Sequence, residues 1–269
     1  MLRKIGLLIL GLMFYFCTGC AVNPVTGQEE LMFFPQGQDV EIGQKYAPEV
    51  EKQLTGRIDD QQLQNYIDYV GQEIVRVSHN ADFDFHFVAV KDKSVNALSL
   101  PGGYVYIAGG MLEKLRTEAQ LAAVLSHEIV HVVARDSMNA MSNQIGIELL
   151  LSAVISDKTP QGVAAAANLT RRIFSLHYSR EDEQTADETA VDYMVAAGYN
   201  PYGMIETMQL LQNEHGSTTI DFLSTHPSPQ NRIVYLTQRI NARYNNLTGL
   251  KIGKEDYQKT VLDRLPRYY

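Results

Sequence analysis

The chain has 269 residues, 45% of them hydrophobic and 20% charged, enough for one large packed domain or two small ones. Its formal charge of −8 leaves no basic surface to neutralise phosphates, which excludes nucleic acid as a partner; acidity alone says nothing about substrate. No low-complexity block interrupts the sequence, so a packed core is expected throughout.

The first elements do not belong to the fold. Arg3 and Lys4 precede a nearly unbroken apolar run, Ile5 to Phe16, and Thr18-Gly19 supply small residues before Cys20. That order reads as a secretory signal with a cleavage site, and the twelve-residue run is too short for the ~20 residues that span a bilayer. The small-small-Cys ending resembles the lipobox of bacterial lipoproteins, although position 17 holds Cys where that pattern usually has Leu. The resemblance implies a signal over 1–19, a lipid on Cys20 and, because Ala21 follows, sorting to the outer membrane. With Cys17 removed no intramolecular disulfide remains, so stability must come from the core and from any bound metal.

Residues 21–37 contain Asn23-Pro24, Thr26-Gly27 and Pro35-Gln36-Gly37 and read as an irregular lead-in. Helices are predicted from Asp39 to Leu54 and from Asp59 to Val77, the second with Leu63, Ile67, Val70, Ile74 and Val77 as an amphipathic stripe. Asp82 to Val90 alternates, with Phe83, Phe85 and Phe87 on one side, and predicts a strand. Ser94 to Leu100 and Tyr104 to Ala108 predict two more around Pro101-Gly102-Gly103. From Thr117 the pattern turns helical. Ile145 to Ile155 predicts a buried or interfacial helix, 157–162 a loop, and an alanine-rich helix follows towards Tyr178. Helices from Arg180 to Ala197, Pro201 to Asn213 and Pro229 to Arg243 complete the set. Strands confined to one region of a helical chain predict an α+β, mainly helical fold with a small sheet.

His127-Glu128-Ile129-Val130-His131 carries the chemistry. On a helix, residues four apart share a face, so both imidazoles reach one ion, and Glu128 sits a step round as a base. Ala134 and Ser137 stand where the elongated metzincin pattern requires Gly and His, which excludes that class. A third ligand is needed, and the helix from Arg180 offers Glu181, Glu183 and Glu188. Glu183 with Asp187, and Glu188 with Asp192, share a spacing that supplies a ligand and a carboxylate to orient a histidine; spacing alone does not separate them.

The set His127-Glu128-x-x-His131 followed by Tyr178-Ser179-Arg180-x-x-Glu183-x-x-Ala186-Asp187 resembles the HtpX-like and Ste-type zinc metallopeptidase family. Asn23-Pro24-Val25-Thr26-Gly27 and Ser224-Thr225-His226-Pro227 are similar to its periplasmic, single-domain lipoprotein branch. The resemblance covers essentially the whole of 20–269 as a single zinc metallopeptidase domain. It implies one Zn²⁺ per chain, Glu183 as third ligand, Asp187 behind it, and Glu188 as an ordinary solvated charge. His226 is then a histidine near the metal that steadies the oxyanion, and the strand containing Asn96 and Ala97 is the edge along which extended substrate lies. Arg232 follows His226 at helical distance, a position equally compatible with supporting the site or with a surface ion pair. The remaining histidines 79, 86, 177 and 215 show no partner pattern and read as structural.

The expected function is a zinc endopeptidase acting on misfolded or envelope polypeptides, lipid-anchored at the periplasmic face of the outer membrane, with the outer-membrane assembly machinery as a partner. One rival is a chaperone-like assembly factor with latent or weak proteolysis; the 26 residues after Arg243 are too few for a helical repeat array. The other is a structural zinc protein, which would need four protein ligands and no Glu128.

Overall fold

The computed structural model describes residues 20–154, 178–213, 222, 226 and 229–265. The signal segment, the loop at 157–162, the alanine-rich helix, His177, His215, Ser224, Thr225 and Pro227 lie outside the described residues. The architecture is α+β and mainly helical, with one small sheet buried between helices.

The lead-in is more regular than its turn-rich sequence suggests. β1 (Cys20–Val22) and β2 (Glu29–Leu31) form an antiparallel hairpin with Cys20 opposite Leu31. Its loop is set by Asn23 Oδ1, which accepts the Val25 and Thr26 N–H groups at 2.9 and 3.3 Å, and by Gly27 at φ 71°. α1 (Gly37–Gln53) packs so closely on the following turn that a Cβ at Gly43 would lie 2.2 Å from the Pro101 carbonyl oxygen. Gly102 and Gly103 turn there with φ of 84° and 89°.

α2 (Gln61–Val75) starts at Asp60, whose carboxylate accepts the Gln62 and Leu63 N–H groups, both at 3.0 Å. Leu63, Ile67, Val70 and Ile74 are buried as the stripe requires; Val77 falls beyond the helix end and is partly exposed. The sheet runs β3 (His86–Val90), β5 (Tyr104–Ala108), β4 (Ala97–Leu100), with β3 parallel and β4 antiparallel to the central β5. Its two faces are both covered. Phe87, Ala89, Val105 and Ile107 join the main core with α2, while Val88, Val90, Leu100 and Tyr106 pack with Ala47 and Val50 of α1 and with Leu54 just after it. The expected strand from Asp82 begins only at His86, because Gln72 Nε2 rather than a neighbouring strand satisfies the Phe85 carbonyl, at 3.0 Å.

After the short α3 (Gly109–Lys114), α4 (Glu118–Ala134) runs through the centre, with every residue except Val132 buried. It ends at Arg135, which takes the left-handed conformation (φ 63°) and binds Asp39 through Nε and Nη2, both at 2.7 Å. α5 is one helix over Asp136–Val154, starting nine residues before the predicted apolar stretch. α6 (Arg180–Ala196) opens on a reciprocal cap between Ser179 and Asp182. α7 (Tyr202–Asn213) and α8 (Pro229–Arg243) follow.

The chain beyond α8 is part of the core. α9 (Lys254–Tyr257) runs into a π-helical turn, and Tyr257 donates its hydroxyl to the Leu112 carbonyl at 2.7 Å. Glu118, wholly buried in the first turn of α4, accepts from Tyr66 (2.6 Å), Tyr199 (2.8 Å) and Lys251 (2.6 Å). Glu118→Ala is expected to lower stability by about 3 kcal/mol, since charge-assisted bonds are lost and buried hydroxyls stranded. Urea denaturation should show a lower midpoint with an unchanged slope.

Candidate metal centre

α4 and α6 lie side by side and present their ligands to one buried point. His127 and His131 project one turn apart from α4, and Glu183 projects from the first turns of α6. His226 arrives from the segment before α8. The ligand atoms of these four residues all lie within 4.8 Å of one another, and all four side chains are buried. His127 Nε2 is 3.1 Å from His131 Nε2 and 3.3 Å from His226 Nδ1; Glu183 carboxylate oxygens stand 3.6 and 3.7 Å from His127 and His131. Glu183 Oε1 also contacts His226 Nδ1.

These spacings fit a metal. Ligand atoms bound at ~2.0–2.1 Å in tetrahedral directions lie roughly 3.3 Å apart, close to the separations observed here. The outward ring nitrogens point the same way: His131 Nδ1 is 2.7 Å from Asp136 Oδ2, and His127 Nδ1 faces Asp187 Oδ1 at 3.1 Å. Asp136 holds a proton on the outer nitrogen of His131 and turns its Nε2 lone pair into the cluster, and Asp187 favours the same tautomer of His127 electrostatically. Burial pushes the imidazolium of His127 down to about 4 and that of His226 down to about 3, keeping both rings neutral and able to ligate. His131 differs: burial acts to lower it, but Asp136, together with the nearby Glu183 and Glu128 carboxylates, outweighs burial and raises it to about 9.

Behind the ligands lies a charge clamp. Asp187 is 0% and Arg232 3% exposed, and Arg232 Nε and Nη2 grip the two Asp187 oxygens at 2.7 and 2.6 Å. Arg232 Nη1 also reaches Glu183 Oε2 at 3.1 Å, and the Tyr235 hydroxyl donates to Asp187. Burial would raise the Asp187 carboxyl; the Arg232 guanidinium overrides it and holds that group below the usual carboxylate range. Tyr178 stacks flat on His131 with ring centres 4.0 Å apart, and Phe222 stacks on His226 at 4.3 Å. Glu128 is buried beside the cluster, and its Oε1 has no hydrogen-bond partner among the described residues; His226 Nε2 is 3.8 Å away.

The sequence model of peptidase family M48 matches residues 61–240, two thirds of the chain and every residue of this cluster. The chain belongs to peptidase family M48. It is 28% identical over 219 residues to the beta-barrel assembly-enhancing protease of Escherichia coli (strain K12), which covers 76% of this chain and 44% of that protein. The putative protease of the same name from Vibrio cholerae is 29% identical over 193 residues, 68% of this chain and 40% of its own length. Mitochondrial metalloendopeptidase OMA1 of Arabidopsis thaliana is 27% identical over 212 residues, 79% of this chain and 42% of its own. The chain thus spans less than half the length of these relatives.

In this member of family M48 Glu183 and Glu188, which spacing left open, part company. Glu188 sits at the half-buried edge of α6 with Arg239 at 2.8 Å, and Asp192 shares that arginine at 3.0 Å. Asn96 and Ala97 lie at the start of β4, an outer strand of the sheet packed against α4; the Asn96 carbonyl accepts from Ala108 at 3.0 Å. The Asn96 Oδ1 is buried without a hydrogen-bond partner among the described residues. Cys20 is exposed at the start of β1. His79 pairs with the Tyr193 hydroxyl at 2.6 Å, and His86 packs on Tyr104.

Two residues that build the M48 site were not singled out for it by sequence. Asp136 carried a faint signal, five residues past His131 where the helix must turn. Arg232 was balanced between a site and a surface role and is buried in the site. Asp136→Asn should weaken metal binding about 10–100-fold, as loss of a carboxylate behind a ligand histidine does. Because His131 holds a proton up to about pH 9, metal must displace it, so affinity should rise with pH towards that value and fall as acid returns the proton. Titration calorimetry in two buffers at neutral pH should report proton release for the parent chain and less for Asp136→Asn.

Proposed function

We propose that this chain is a zinc-dependent endopeptidase, with His127, His131 and Glu183 as protein ligands and Glu128 as general base. The observation that carries the reading is the convergence of four buried ligand groups beside a buried glutamate with an unengaged oxygen. A zinc ion held there would supply Lewis acidity for a peptide carbonyl and for an attacking water near neutral pH. Glu128 takes the proton of the attacking water and delivers it to the departing amine. Asp136 and Asp187 hold the two imidazoles in register, and Arg232 fixes the Glu183 carboxylate through Oε2, the oxygen nearer His127. Substrate lies extended along β4, pairing through the main chain near Asn96 and Ala97.

His226 has two readings. The family resemblance makes it a donor to the oxyanion, whereas its Nδ1 position among the ligand atoms favours a resting cap on the metal. On the second reading His226→Ala raises basal cleavage and loosens zinc. A fall in kcat of ~10²–10³ at unchanged zinc content and KM assigns the oxyanion role instead.

The finer setting follows from the amino terminus and the relatives. A lipid on Cys20 would hold the enzyme at the periplasmic face of the outer membrane, where it degrades misfolded or envelope proteins. Two of the relatives compared are named for enhancing β-barrel assembly, which supports that machinery as a partner; others are named mitochondrial. The chaperone-like alternative predicts partner binding that survives loss of the base. Glu128→Gln should fold and retain one zinc while losing at least ~10²–10⁴ in cleavage of an unfolded model protein. Wild-type turnover by that variant would overturn the mechanism, and full zinc occupancy in Glu183→Ala would overturn the ligand set.

A further inference from the structure

We propose that the outward face of the β1–β2 hairpin is a membrane-seating surface that holds the domain flush on a phospholipid bilayer; this rests on the acylation of Cys20 proposed above. Alternation along the two strands defines the face. Ala21 packs inward on the cluster of Met32, Met138 and Met141, and Glu30 turns inward to accept from Asn23 and Asn139 at 2.7 and 2.9 Å. Cys20, Val22 and Leu31 therefore point outward, and Phe33 continues the same parity beyond β2. Val22 is 60% and Phe33 43% exposed, two of the few large apolar side chains in the described residues that face solvent. An acyl chain on the Cys20 sulfur would leave from this apolar face.

No leash separates that sulfur from the fold, because Cys20 is already paired with Leu31. The hairpin is in turn fixed to α5. Phe33 donates its N–H to Ser142 Oγ at 3.0 Å, Asn139 donates to Glu30, and Arg135 donates to the Phe34 carbonyl at 2.9 Å. Asp136, first residue of α5, is the partner of His131. Anchor and metal cluster are thus joined by folded structure alone, which sets the site at a fixed height above the lipid. The substrate class this favours is polypeptide emerging from, or lying along, the bilayer surface. Glu29 on the face and Glu30, Glu181 and Asp182 lining the cleft beside it select zwitterionic over anionic headgroups.

The chain contains no Trp, so a single introduced indole reports without background. The full acylated chain carrying Phe33→Trp is reconstituted in phosphatidylcholine vesicles with brominated or ordinary acyl chains, alongside Val22→Trp and a control, Val77→Trp, two residues beyond α2. Seating predicts blue-shifted emission and strong quenching by brominated lipid for the two hairpin probes, with the control unaffected, because interfacial apolar side chains reach the acyl boundary. Equal emission in both vesicles, with intact mass showing acyl chains on Cys20, overturns the seating and leaves the anchor standing. Quenching of the control to the same extent also overturns it. An intact mass without acyl chains removes the anchor and the seating together.

Discussion

The site depends on one buried ion pair. Asp187 and Arg232 bind each other through two bonds, out of contact with water, and by doing so they tie α6 to α8. Two of the four ligand groups are oriented from that pair: Asp187 faces His127, and Arg232 steadies Glu183. Such a pair contributes little net stability, but leaving either partner alone costs about 3–5 kcal/mol, so the two elements are held in one relation. Arg232 is the only Lys or Arg buried among the described residues, while Glu128, Asp136, Glu183 and Asp187 are all buried around the cluster. Negative charge in this dry interior exceeds what that guanidinium and a protonated His131 balance, and a dication that displaces the His131 proton is the chemically apt complement.

The arrangement also shows how α4 can carry charged groups through the middle of a core. Its apolar residues face the sheet, α2 and α7, while His127 and His131 face α6, where they meet the carboxylates of Glu183 and Asp187. Flat rings on His131 and His226 exclude solvent, which strengthens every electrostatic contact inside. Glu118 repeats the logic at the start of the helix, where two tyrosines and a lysine satisfy its carboxylate.

Much of this was legible in the sequence, for identifiable reasons. Helical periodicity placed α2, α4, α6 and α8 within a few residues, because in each an apolar stripe, a capping residue or a proline marks the ends. His127, Glu128 and His131 were legible because a metal helix imposes a fixed spacing. Glu183 was separable from Glu188 only through family resemblance; their difference is which way α6 is rotated, a tertiary fact. The β1–β2 hairpin was missed since Asn23-Pro24 and Thr26-Gly27 mark a turn equally well within a hairpin or in irregular chain, and three-residue strands have no periodicity to detect. Val77 was over-read because the stripe outlasted the helix. Arg232 was undecided because an arginine on a helix is usually solvated, and nothing local reveals that Asp187 waits across the interface.

The near-total burial of α4 has a consequence for how such a site changes. A helix with an open side can slide or rotate to accommodate a new neighbour; α4 has none, with only Val132 outside the buried set. Its register is locked by contacts on every side, so two of the four metal-facing groups behave as a fixed frame. Adjustment of metal grip, ring tilt or access then falls to the opposite wall, above all to His226, which lies outside the Asp187–Arg232 clamp. Directed evolution of this scaffold for altered turnover would find its productive substitutions on that wall and few on the helix that bears the signature motif.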